Sequence, residues 1–223
     1  MPAHRGEAHH STALEDYILA IYRMQTAGEQ VRGARLADQL GVAPPTVTEM
    51  LGRLRRDDLV DDGRPIRLTE KGLDLARTLV SRHRLVERFL VDKLGFGWEE
   101  VHDEAHRLEH ALSARVTERL ADFLGHPATC PHGHPIMEGG ASEPDLSLLP
   151  LTSVAAGGAG VVRRIAVEDP ALLVLLTELG IGLDSQVRVE RIDPYDGPIH
   201  IEVDGREEVI GAAAAREVLI ETG

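Results

Sequence analysis

The sequence predicts a mainly α protein that ends in a small β module. Three observations carry this. Up to about residue 124, apolar residues recur at helical spacing. From Leu151 onward the period changes to short alternating runs. Between these regions, residues 125–150 are rich in proline and glycine.

Taken in order, residues 12–27 place Leu14, Tyr17, Ile18, Ile21, Tyr22 and Met24 at helical spacing, and Gly28 stops this helix. A short helix follows from Gly33 to Leu40, with a turn at Gly41-Val42. The next helix opens at Pro44-Pro45 and runs to about Asp57. Proline is tolerated in a first helical turn, where its missing N–H costs little. The segment LVDDGRPIRLTEKG predicts two short strands around Asp62-Gly63. Helix, helix, turn, helix, hairpin is the order of a winged helix-turn-helix.

Leu73 to about Leu94 is helical, residues 96–98 make a loop, and one further helix is expected from Glu99 to about Leu124. Both helices have broad apolar faces, which suits a two- or three-helix domain that also dimerises. The runs GVVRRIAV, QVRVERI, PIHIEV, EEVI and REVLIE, with a helix near Pro170–Leu179, read as a small β-barrel. The expected organisation is a DNA-binding domain over 1–72, a helical domain over 73–138, a linker over 139–150 and the barrel over 151–223.

Among 223 residues, hydrophobic types make up 43% and charged types 27%, as in an ordinary globular chain. No signal-like start and no membrane-length apolar run are present, so the expectation is a cytoplasmic protein without a membrane partner. The single cysteine, Cys130, has no partner for an internal disulfide. A net charge of −13 is unusual for a nucleic-acid binder, but residues 1–75 carry ten Lys/Arg against twelve Asp/Glu. The acid lies mostly beyond them. Phosphate attraction dominates non-specific DNA affinity, so a cation that neutralised carboxylates would help such a body bind DNA.

Seven of the eleven histidines fall between His83 and His134. In VHDEAHRLEH, a continuous helix would place His102, His106, Glu109 and His110 on a face about 100° wide. His106, Glu109 and His110 could form one side of a mixed N/O metal site; the bland alternative is a solvated polar face. In the preceding helix, His83 and Glu87 are four residues apart and share a face. With His102 they make a second site if the two helices pack antiparallel. Asp16, on the polar face of the first helix, is the candidate for the ligand still missing from the first site. Cys130-Pro131-His132-Gly133-His134 looks like a zinc motif but has too few ligands for a closed tetrahedral site. It is read as a structural connector. His9 and His10 are assigned no role.

The segments LEDYILAIY, APPTVTEMLGRLRRDDLV, RHRLVERFL and VHDEAHRLEH, in this order and spacing, resemble the diphtheria toxin repressor family of iron- and manganese-dependent regulators. The resemblance covers the whole chain, because three-domain members also end in an SH3-like (FeoA-like) barrel. It implies a primary metal site at Asp16, His106, Glu109 and His110 and an ancillary site at His83, Glu87 and His102. Some members add two ligands from the barrel; Glu168 matches the first position, and Ala171 stands at the second. It also implies a homodimer that binds double-stranded palindromic operator DNA, with no catalytic role and no small-molecule substrate.

Two departures bear on the ion. Iron-sensing members carry a methionine on the first helix and a cysteine on the dimerisation helix, where this chain has Asp16 and His106. Losing two sulfur ligands makes the site harder, which favours Mn²⁺ and still tolerates Fe²⁺, the alternative. Manganese-sensing relatives share the aspartate but carry glutamate where His106 stands, and a second carboxylate found in some of them is Leu19 here. Raw affinity would favour Zn²⁺ or Ni²⁺ over Mn²⁺, so Zn²⁺, Co²⁺, Ni²⁺ or Cd²⁺ would also bind in vitro.

In the expected recognition helix, Ala43, Pro45, Thr46, Thr48 and Glu49 lie at the end that meets base edges. Arg35, Arg53, Arg55, Arg56 and Arg64 in the wing are candidates for phosphate contacts that position without specifying. Two rival readings have less behind them. A metallohydrolase would need a general base such as Glu104 or Glu87 and leaves the helix-turn-helix unexplained. A winged-helix regulator of an organic ligand fits poorly with 3% aromatic residues.

Overall fold

The computed structural model describes residues 11–137 and 147–222. These fall into two compact units, residues 11–81 with Met137 and residues 82–136 with 147–222. Among the described residues, no helix is long and apolar enough to cross a membrane.

The first unit contains α1 (Thr12–Thr26), α2 (Gly33–Leu40), α3 (Pro44–Arg56) and the beginning of α4 (Glu70–Leu94). Leu14, Ile18 and Ile21 of α1 are fully buried with Leu36 of α2 and Leu54 of α3, and Val47 and Leu79 join them. Burying such side chains contributes about 1.5–3 kcal/mol each. Gly41 ends α2 with φ +64°, a conformation that costs glycine little, and the chain turns at once into α3.

The expected wing strands are not formed: residues 60–68 hold a single bridge, Val60 to Leu68. The Asp61 carboxylate accepts the N–H groups of Gly63 (3.1 Å) and Arg67 (3.3 Å), so a side chain closes the loop. Pro65 has no N–H to give to a ladder.

In the second unit the helix expected from Glu99 to Leu124 is two helices, α5 (Val101–Glu109) and α6 (Ala114–Leu124). Ser113 caps α6 by accepting the Val116 N–H. Arg82 of α4 donates to the carbonyls of Glu109 (3.2 Å) and Leu112 (3.1 Å), satisfying acceptors at the break. Val86 and Leu90 of α4 and Val101 and Ala105 of α5 form a small shared core.

The barrel comprises β1 (Leu149–Pro150), β2 (Ala159–Ile165), α7 (Pro170–Glu178), β3 (Gln186–Ile192), β4 (Ile199–Val203), β5 (Arg206–Ile210), α8 (Ala212–Glu217) and β6 (Val218–Glu221). Its strands form one antiparallel sheet in the order β1-β6-β2-β3-β4-β5 around Val162, Ile165, Val187, Val189, Ile201, Val218 and Ile220. The run REVLIE, expected as a strand, begins inside α8, because four consecutive alanines favour helix up to Glu217. Of the linker expected over 139–150, residues 139–146 lie outside the described residues, and Leu149–Pro150 already pair as β1. His9 and His10 also lie outside them.

The loop between α6 and the barrel is pinned to β2. Thr129 bridges Pro135, and the Ile165 N–H donates to the His132 carbonyl at 2.9 Å. At Gly133 (φ +86°) a Cβ would stand 2.0 Å from the Arg163 carbonyl oxygen, so only glycine fits. Arg163 sits at a register shift of β2 against β6, where the bulge turns its carbonyl out of the ladder.

Candidate metal centre

The four-residue spacing on α4 puts His83 and Glu87 on one buried face. His83 Nε2 lies 3.0 Å from Glu87 Oε1 and 3.1 Å from His102 Nδ1 of α5. His102 Nδ1 is in turn 3.0 Å from Glu168 Oε2, in the short segment that leads from β2 into α7. Ligand atoms of His83, Glu87, His102 and Glu168 all lie within 4.8 Å of one another. Donors at about 2.0–2.3 Å from a common ion are separated by distances of this order. The barrel thus adds Glu168 to the three residues paired from sequence, while Ala171 offers no donor.

A second quartet shares both carboxylates. Glu87, Cys130, His132 and Glu168 also lie within 4.8 Å of one another. Cys130 and His132 are fully buried, and the Cys130 sulfur is 3.9 Å from His132 Nδ1. The motif read as a connector with too few ligands therefore finds its missing donors on α4 and in the barrel. The histidine-cysteine spacing was visible in sequence; nothing local to it announced Glu87 or Glu168. His132 Nε2 pairs with the Trp98 carbonyl at 2.7 Å, and the two rings stack with centroids 5.8 Å apart. Trp98 is fixed by its indole N–H, which donates to Thr177 Oγ1 at 2.8 Å. His134 approaches Glu168 Oε1 at 3.6 Å, and burial pushes its imidazole down to about 4.

The residues of the other expected site gather on Glu109. His106 Nδ1 is 2.9 Å and His110 Nε2 3.5 Å from Glu109 Oε1. His110 is the C-cap of α5 with its backbone still in the helical region, and its ring lies 5.1 Å from that of His106 one turn earlier. His106 is half exposed, while Glu109 is buried. Asp16 lies on α1, in the first unit. His83 touches both groups: its Nδ1 is 3.1 Å from Glu109 Oε2.

Burial alone would hold these groups neutral, but carboxylates and imidazoles compensate one another. Burial opposes charge on Glu87, yet hydrogen bonds from His102 and His83 and the nearby His132 imidazole hold its carboxyl far below the usual carboxylate range. Glu109 and Glu168 are lowered on the same balance, chiefly by His83 and His102 respectively. His102, bonded to Glu168 and Glu87, is raised to about 9. His132 is raised to about 11 because contacts with Cys130 and Glu87 outweigh its burial. Burial pushes the Cys130 thiol up. Among the described residues Glu87 Oε2 has no hydrogen-bond partner although its side chain is fully buried, and His132 Nδ1 stands 3.8 Å away. An orphaned buried carboxylate oxygen beside histidine and cysteine is a group that a cation would satisfy. These donors fit a divalent metal.

On α3, Val47, Leu51 and Leu54 face the core, and Ala43, Pro45, Thr46, Glu49 and Arg53 are exposed on the other side. Thr48 donates its hydroxyl to the Pro44 carbonyl. Arg35 pairs with Glu29 at 2.8 Å and Arg53 with Asp57 at 3.8 Å. Arg56 Nε bonds the Gly52 carbonyl, and Arg64 is exposed in the wing. Arg55 holds the wing instead of standing free, donating to the Asp61 carbonyl and pairing with Asp62.

Comparison with known proteins agrees along the whole length. Residues 9–63 match the iron dependent repressor N-terminal DNA binding domain. Residues 69–138 match the iron dependent repressor metal binding and dimerisation domain, and residues 149–222 match the FeoA domain. The iron-dependent repressor IdeR of Mycobacterium tuberculosis is 38% identical over 209 residues, covering 87% of this chain and 90% of that protein. A manganese-dependent transcriptional repressor solved in complex with manganese superposes with a TM-score of 0.82 at 36% identity, over 94% of this chain and 100% of that one. The repressor ScaR with bound Cd²⁺ gives 0.75 at 32% identity, covering 94% and 99%. These relatives are DNA-binding regulators and not enzymes. The chain belongs to the diphtheria toxin repressor family, the iron- and manganese-dependent transcriptional repressors.

Proposed function

We propose that this repressor responds to manganese and, as a homodimer, binds a palindromic operator of metal-homeostasis genes when the ion is bound. The observation that carries this reading is the donor chemistry around Glu109: imidazoles and a carboxylate, with no sulfur in the group. Such a set is hard and suits Mn²⁺, with Fe²⁺ the nearest competitor. The solved repressors that share its fold, one of them in complex with manganese, support the same choice.

His106, Glu109 and His110 would hold the primary ion, with Asp16 as a ligand from α1 on the family pattern. His83, Glu87, His102 and Glu168 would hold the ancillary one. When bound, the ion supplies positive charge that lets buried carboxylates stay ionised together. Asp16 then ties the DNA-binding part of the chain to the dimerisation part. Helix-turn-helix dimers read successive major grooves about 34–36 Å apart, so fixing two recognition helices at that spacing selects the DNA-competent arrangement. On α3, Ala43, Pro45, Thr46, Thr48 and Glu49 would meet base edges, and Arg35, Arg53 and Arg64 the phosphates.

The test is operator binding by metal-free protein titrated with Mn²⁺, Fe²⁺ and Zn²⁺ at fixed salt. Mn²⁺ is expected to switch on tight binding, and Asp16→Ala or His110→Ala to remove the switch while leaving the dimer intact. Unchanged operator affinity in Asp16→Ala would sink the coupling, and a response to Fe²⁺ alone would reassign the ion.

A further inference from the structure

We propose that the buried cluster is a two-ion centre in which Glu87 and Glu168 bridge, each giving one carboxylate oxygen to each ion. This rests on the reading that the cluster binds divalent metal at all. Its ground is how the carboxylate oxygens divide. Glu87 Oε1 faces His83 Nε2 at 3.0 Å and His102 Nδ1 at 3.3 Å, while Oε2 faces His132 Nδ1 at 3.8 Å. Glu168 divides likewise: Oε2 lies 3.0 Å from His102 Nδ1, and Oε1 lies 3.6 Å from His132 Nδ1. Both carboxylates stand edge-on between a His83/His102 side and a Cys130/His132 side.

Each side is complete by itself. His83, His102, Glu87 and Glu168 form one quartet and Cys130, His132 and the same two glutamates the second, with Glu87 Oε2 and Glu168 Oε1 the oxygens nearest His132. An ion in the first quartet alone would leave Glu87 Oε2 orphaned and the Cys130–His132 pair unused. The tautomers are also prepared for both. His83 Nδ1 is engaged by Glu109 Oε2, which turns Nε2 toward the glutamates. His132 Nε2 donates to the Trp98 carbonyl, which turns Nδ1 toward them. A ligating histidine whose second nitrogen is held by a carboxylate or a carbonyl is oriented for its metal. Two ions sharing carboxylates typically stand about 3.5–4 Å apart. The two positions differ in kind, one built from nitrogen and oxygen and the other including sulfur.

The experiment uses the full chain carrying His110→Ala, which disables the group around Glu109 and leaves the cluster to be counted alone. Mn²⁺ loading followed by elemental analysis is expected to give two ions per chain, and low-temperature electron paramagnetic resonance a spin-coupled pair. Co²⁺ loading is expected to give a sulfur-to-cobalt charge-transfer band. In that background Cys130→Ser should keep one uncoupled Mn²⁺ and lose the cobalt band. His83→Gln should also keep one uncoupled Mn²⁺ but retain the band. One uncoupled Mn²⁺ per chain before either substitution would overturn the bridge and leave the repressor reading standing. If the unsubstituted protein bound no metal and its operator affinity ignored every ion, the repressor reading itself would fail.

Discussion

His83 shows how much one side chain can connect. Its two nitrogens meet two buried carboxylates, Glu109 and Glu87, and burial, which would depress its pKa, is outweighed so that it is raised. With His102 at about 9 and His132 at about 11, the metal-free cluster holds protons at neutral pH. Raised histidines stabilise the fold below about 6.5 and lose that contribution as pH climbs through their folded values. Lowered carboxylates stabilise it above about 4.5 and lose it as pH falls. Thermal melts of chelator-treated protein should therefore show this contribution greatest between about pH 4.5 and 6.5 and declining toward pH 9. With Mn²⁺ the trend should reverse above pH 6.5, because the ion displaces those protons and its affinity rises with pH. A melting profile that Mn²⁺ shifts equally at every pH would contradict this. Gly133 is the other sensitive residue. Gly133→Ala forces a side chain at φ +86° against the Arg163 carbonyl and should cost about 1–3 kcal/mol of strain. Denaturant melts should report that loss, and Co²⁺ titration weaker binding wherever Cys130 contributes; a neutral substitution would mean the loop is not clamped by β2.

At the scale of elements, the helix that follows α4 breaks just beyond His106, Glu109 and His110. Helical periodicity through His110 treats Glu109 and His110 as successive positions on one stripe. The chain leaves the helix after these residues, and Arg82, 27 residues before Glu109, gathers the carbonyls of Glu109 and Leu112. Hydrogen bonds to a charged donor are worth about 1.5–3 kcal/mol, so Arg82→Ala should destabilise by that order. It should also weaken Mn²⁺ binding at Glu109 and His110 more than at Cys130, as calorimetry of singly disabled variants can separate. Equal losses at both would assign Arg82 a general structural role. The helices themselves were readable because their apolar spacing and end signals agree: Gly41 closes α2 and Pro44 opens α3 where the chain does both. The wing forms with one bridge in place of two strands, and the last strand starts late, because Asp61 and a run of alanines act locally against an alternating pattern.

For the whole molecule, the distribution of charge sets how it meets DNA. Arg35 and Arg53 are already paired with acids, and residues 1–75 carry slightly more acid than base. Few phosphates should therefore be neutralised per protomer. Between 50 and 200 mM salt the Mn²⁺-loaded protein should lose about 10³ in operator affinity, the shallow end for DNA-binding dimers. A fluorescence-anisotropy titration across salt checks this, and a loss near 10⁵ would mean that arginines leave their acidic partners to bind phosphate.

The sequence by itself determined the mainly α class, the helix-turn-helix and the exposed face of α3, the terminal barrel and the candidate donors spaced within one helix, such as His83 and Glu87. These follow from periodicity and capping, which act over a few residues. Only the tertiary structure decided that Cys130 and His132 share carboxylates with His83 and His102. Glu87 and Glu168 are 81 positions apart in the chain and meet because β2 holds the Cys130 loop through His132 and Gly133. A contact of that range is made by packing, and no local pattern in the chain encodes it.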